Sequence, residues 1–159
     1  MSVYSRSVAD GARVIFPFDS TYISNQGTIV ASTLPIAYGS NPTFNSQSPS
    51  GGDGSWIRSS AGYLQNSAIN VIEPYNGEFA IEFVFKTTAT GGTLGGISGS
   101  VSVNINSGGG LDFNVTNGSY SKSISTSIVI NDGLWHHVVV RREDYPYHSI
   151  WIDGTKNVE

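Results

Sequence analysis

D-G-L-W-H-H-V-V-V-R-R-E, residues 132–143, and H-S-I-W-I-D-G, residues 148–154, decide the fold. The first opens on an Asp-Gly turn signal and the second closes on another, Asp153-Gly154. Between these turns lie β-branched and aromatic residues, which suit a pleated, half-buried surface. The reading is a β-hairpin at the centre of a sheet.

The chain outward from this hairpin repeats the pattern. Phe79, Ile81, Phe83 and Phe85 share one face at period two, and Ala80, Glu82, Val84 and Lys86 share the other. Val101-Val103-Ile105 and Leu111-Phe113-Val115 alternate with polar residues and flank a glycine turn, which predicts an antiparallel pair. Further short strands are expected at 13–18, 28–31, 34–38, 55–58, 62–65, 68–72, within 91–99, at 120–124 and at 127–130. Residues 41–54, N-P-T-F-N-S-Q-S-P-S-G-G-D-G, read as loop throughout. No stretch of ten or more residues carries a 3.6-residue period. Strands recurring about every eight to twelve residues predict an all-β protein, an antiparallel two-sheet jelly-roll sandwich.

Composition limits function. At 159 residues the chain has the length of about one domain. It is read as a polar arm over 1–12 and one sandwich domain over 13–159. Cysteine is absent, which removes disulfides and thiolate metal sites. Charged residues are only 13% and the net charge is −4, so nucleic acid is not the expected partner. The first ten residues lack the apolar centre of a signal peptide, and no apolar run reaches membrane-spanning length; no membrane insertion is expected.

The W-H-H strand followed by I-W-I-D-G resembles the laminin G-like and concanavalin A-like jelly-roll superfamily, whose members carry D-G-x-W-H-H-V and then V-D-G. Phe16-Pro17-Phe18-Asp19 and Phe79 to Phe85 resemble two further strands of that family. The resemblance runs in order over about residues 13 to 154. It implies two face-to-face antiparallel sheets and a binding module rather than an enzyme, with glycans, lipids, steroids or proteins as ligands. Relatives continue beyond the V-D-G hairpin with more strands. The expectation is therefore a sandwich whose C-terminal strands are missing or supplied by a partner, and a homo-oligomer or larger assembly.

Candidate sites follow from residue chemistry. Adjacent strand residues face opposite ways, so His136 and His137 cannot share one metal. One is expected to be buried and hydrogen-bonded and the other partly exposed, with His148 on the next strand opposite one of them. The resemblance implies calcium at a sandwich rim, and Asp19, Asp53, Asp112 and Asp132 are the loop or strand-end acids that would supply hard oxygen ligands. Trp56, Tyr75, Tyr145 and Tyr147 lie near loops and are the expected sugar-stacking residues, whereas Trp135 and Trp151, inside the family motif, are expected in the core. A glycosidase needs two carboxylates about 5 to 10 Å apart, and the glucanase E-x-D-x-x-E run is missing; Glu82 stands alone on its strand. The expected function is non-enzymatic: a virion structural or adhesion protein, such as a phage capsid decoration or tail-associated subunit, binding virion proteins or host-surface glycans. The alternative is a carbohydrate- or protein-binding module of a larger secreted or cell-surface protein.

Overall fold

The computed structural model describes residues 78–143 and 147–158, apart from the side chain of Asn117, and the backbone of four short strands before them. The chain divides into two compact units, Met1–Val71 and Ile72–Glu159. In the first, β1 (Ile36–Tyr38) pairs antiparallel with β4 (Tyr63–Gln65), and β2 (Thr43–Asn45) with β3 (Ser55–Ile57). Strand β2 corrects the reading of 41–54 as loop throughout. Thr43 and Phe44 are good strand formers, and the backbone pairs antiparallel with β3 at the register Phe44 opposite Trp56. The strand expected at 13–18, and those at 28–31 and 68–72, lie outside the described residues.

The second unit holds two four-stranded antiparallel sheets, and no helix occurs among its described residues. One sheet runs β12-β11-β10-β5, built from β5 (Phe79–Lys86), β10 (Trp135–Arg142), β11 (His148–Ile152) and β12 (Thr155–Val158). The other runs β6-β7-β8-β9, from β6 (Gly92–Ile97), β7 (Val101–Ile105), β8 (Leu111–Asn117) and β9 (Tyr120–Thr126). The W-H-H strand and its partner are thus the two central strands of their sheet, as the turn signals imply. The expected strand at 127–130 does not form. The Thr126 hydroxyl accepts the Ile128 N–H, and the Ile130 N–H is taken by Gly109, so the chain leaves one sheet to cross to the other.

Parity builds the core. In one sheet Val138 and Val140 on β10 lie opposite Ile152 and Ile150 on β11, and opposite Phe83 and Ile81 on β5. In the other, Val101, Val103 and Ile105 meet Val115, Phe113 and Leu111. These two apolar faces pack on each other in one cluster, and the Phe79 ring sits edge-on to Phe113 with centroids 6.3 Å apart. Phe113, Leu111, Val138, Val140 and Ile150 have no exposed surface. Gly95 permits the close approach of β6: a Cβ there would lie 2.8 Å from the Phe83 ring. The result is the expected all-β sandwich.

Candidate functional site

The family-like motif explains itself as a clamp. Asp153 (φ 51°) and Gly154 (φ 80°) form a two-residue turn that joins Ile152 to its partner Thr155. Two positive φ values in succession match a hairpin turn that Asp-Gly adopts readily. The second Asp-Gly, Asp132-Gly133, turns the chain into β10, with the Asp132 carboxylate accepting the Leu134 N–H at 2.8 Å. His136 stands between the two turns. Its Nδ1 meets Asp153 Oδ2 at 2.9 Å and its Nε2 meets Asp132 Oδ1 at 3.1 Å. A neutral imidazole has one N–H; only imidazolium can donate to both carboxylates. Burial alone pulls the His136 pKa down, but the bonds to Asp153 and then Asp132 outweigh it and raise it. Asp132 is held below its ordinary value, first by the Leu134 N–H and then by His136. For Asp153 burial pushes upward, and the His137 N–H and His136 more than offset it. The arrangement fastens two loops at one sheet end; with both ring nitrogens occupied, it is structural.

The outer face of the same sheet has a different character. Trp135, His137, Val139 and Arg141 on β10 point away from the core by parity, beside Glu82 on β5 and Trp151 on β11. Both tryptophans are half-buried and neither belongs to the core cluster, which corrects the expectation that they are core residues. His137 Nε2 lies 2.7 Å from Glu82 Oε1, and Arg141 pairs with Glu143 at 3.3 Å. The Trp151 indole N–H donates to the buried Ser149 hydroxyl at 3.1 Å, which fixes the ring on the sheet. His137, Val139, Arg141, Trp151 and Gly154 line a shallow concavity of about 240 Å³.

The second sheet presents another open face, with small polar residues. Thr93 donates to Asn104, and the Asn104 and Asn114 amides both donate to the Ser102 hydroxyl. Its concavity, about 170 Å³ beside Ser102, Asn114 and Thr116, contains no aromatic ring. These groups bond to one another along the face.

Among the residues expected from sequence, those that are described do not come together. Asp19, Asp53, Tyr75 and Tyr145 lie outside the described residues, and Trp56 is placed only by its strand, β3. Tyr147 is exposed in the β10–β11 connection, where its carbonyl accepts the Glu143 N–H. Asp112, on β8, accepts a bond from the Asn106 amide at 3.3 Å. Asp132 is engaged by His136 and Leu134. The two acids therefore serve separate hydrogen-bond sets, and among the described residues no group of three or more His, Asp or Glu is arranged to hold a metal. Calcium, which the family likeness implies, does not fit these described acids. His136 and His137 do face opposite ways, the first 11% and the second 40% exposed at the side chain. His148, however, lies opposite Arg142 rather than either of them, and packs among Phe113 and Tyr120. The outer-face group of Glu82, His137, Arg141 and Trp151 was not anticipated as a site, although the period of two that separates 135, 137, 139 and 141 from 136, 138 and 140 already puts the odd residues together.

Residues 85–159 match the family model for the laminin G domain. The likeness to the laminin G-like and concanavalin A-like sandwiches thus holds from the end of β5 through the clamp and β12. No curated protein matches the sequence. Laminin G domains are in general non-enzymatic modules that bind proteins and carbohydrates, and they are typically extracellular.

Proposed function

We propose that the chain is a non-enzymatic laminin G-like sandwich that acts as a virion structural or adhesion protein, a phage capsid decoration or tail-associated subunit, binding other virion proteins or host-surface glycans. The observation that carries the binding reading is how the described ionisable side chains are used. His136 bridges Asp132 and Asp153, and Glu82 is engaged by His137 on an open sheet face. Neither set is a pair of carboxylates held across a vacant gap, the arrangement a glycosidase needs. A structural setting is supported by the low charge, the absence of cysteine and the edge strands β5, β6, β9 and β12 of the two sheets among the described residues. Edge strands offer unpaired backbone to a second chain, which favours homo-oligomers and assemblies.

A second reading, a carbohydrate- or protein-binding module of a larger secreted or cell-surface protein, is favoured by the typical extracellular setting of laminin G domains. Capsid or tail genes beside the coding gene support the virion reading, and a parent gene with a secretory leader and further domains supports the second. A glycan array run with and without a calcium chelator tests binding itself. Retention of defined glycans, with no polysaccharide cleavage, is the expected result. Cleavage abolished by Glu82→Gln would overturn the non-enzymatic reading, and binding lost on chelation would place calcium in the site.

A further inference from the structure

We propose that the outer face of the β12-β11-β10-β5 sheet is a carbohydrate site for a neutral hexose, with Trp151 as the platform and His137, Glu82 and Arg141 as the polar grip. This inference deepens the binding function proposed above and rests on it. A pyranose has an apolar C–H face and a rim of hydroxyls, so its receptor needs a flat apolar surface flanked by donors and acceptors. The concavity of about 240 Å³ supplies these within one sheet face. Trp151 is half-buried, and its N–H is already committed to Ser149 at 3.1 Å. The ring is therefore held in place before any ligand arrives, which lowers the ordering cost of binding. Val139 continues the apolar floor between Trp151 and Glu82, which lie on either side of it in the register.

The charges choose the class of sugar. The two basic side chains that line the concavity each have an acid beside them, His137 with Glu82 and Arg141 with Glu143. Both pairs remain open to solvent, with side-chain exposures of 32 to 44%. They offer donors and acceptors to hydroxyls without an uncompensated positive charge for a carboxylate or sulfate. Lys86 and Lys156, opposite Trp135 and Trp151 in the register, lie on the same sheet but do not line the concavity. The chain as a whole carries −4, a field that disfavours polyanions. A hexose terminus without carboxylate or sulfate is the complementary ligand.

The test uses the full chain on an array of neutral, sialylated, uronate-bearing and sulfated oligosaccharides, followed by titration of the retained glycan with tryptophan fluorescence as readout. Wild type should retain neutral hexose-terminated glycans. Trp151→Leu should weaken binding by about tenfold, the factor that corresponds to ~1.4 kcal/mol. Glu82→Gln, a change at an exposed position that keeps the fold, should weaken it by about threefold or more by analogy with a single hydrogen bond. Ser123→Ala, on the exposed face of β9 in the other sheet, should leave affinity unchanged. Retention of acidic glycans alone overturns the assignment of sugar class. Glycan binding that both Trp151→Leu and Glu82→Gln leave intact overturns the site while keeping the binding function. No glycan retained overturns the site and leaves the proposed function resting on protein partners.

Discussion

His136 shows what one side chain contributes here. It joins a turn preceding β10 to a turn following β11, so its imidazolium fastens two segments 17 residues apart in sequence through Asp153, and four apart through Asp132. The sign of the pH dependence follows from the directions of the shifts. The His136 pKa is raised above its ordinary 6.5, so its contribution is complete below that value and is lost as pH rises through the raised value. Asp132 and Asp153 are lowered from 3.8, so theirs is complete above that value and is lost as pH falls through the lowered values. The clamp is strongest between the two ordinary values, near about pH 5. In thermal melts, wild type should exceed His136→Gln in Tm by most at that pH, and the gap should shrink towards about pH 9. A gap that is constant with pH, or widest under alkaline conditions, would show that the imidazolium is not what joins the turns.

At the scale of elements, the Asp153-Gly154 hairpin turn and the parity of β10 carry the argument. Both turn residues have positive φ, a region that a β-branched residue enters at a cost of about 1–3 kcal/mol. Gly154→Val should therefore destabilise the fold by about that amount in urea titrations. Asp153→Asn, which tolerates the same backbone, should keep the hairpin but flatten the pH dependence. Equal losses from both substitutions would mean that the turn geometry is not the limiting feature. On β10 the alternation sends His136, Val138 and Val140 inward and Trp135, His137, Val139 and Arg141 outward. The adjacent histidines consequently have different tasks, one in the clamp and one on the open sheet beside Glu82.

Across the second unit, the two sheets are held by an apolar layer with Phe113 at its centre. This ring is fully buried, lies edge-on to Phe79 and contacts the ring of His148 at 5.7 Å between centroids. Phe113 belongs to one sheet, and Phe79 and His148 to the other, so its removal opens the contact between them. Phe113→Ala should cost about 3–5 kcal/mol in equilibrium unfolding. A loss below about 1 kcal/mol would show that the sheets do not depend on this layer. The same architecture leaves each sheet one outward face, and the two differ in kind. One is a network of Thr, Ser and Asn bonded to one another. The other combines indole rings with ion pairs.

The sequence alone determined the elements that rest on period and turn chemistry. The period-two runs at 79–86, 101–105 and 111–115, the hairpin of 135–142 with 148–152 and its Asp-Gly turns all depend on neighbours in the chain. It failed at 127–130, where the strand-forming Ile128, Val129 and Ile130 became a crossover because Thr126 and Gly109 took the N–H groups that a ladder would need. It failed again at Trp135 and Trp151, where their place inside the family motif suggested core and parity put them outside. Only the tertiary structure decided which residues meet. Asp132 and Asp153 are drawn to one imidazole, Glu82 reaches His137 across 55 positions of sequence, and Asp112 keeps to a separate sheet. Turn and strand preferences are local energies and can be read locally; a site is a coincidence of distant side chains, set by strand register and by the packing of one sheet on the other.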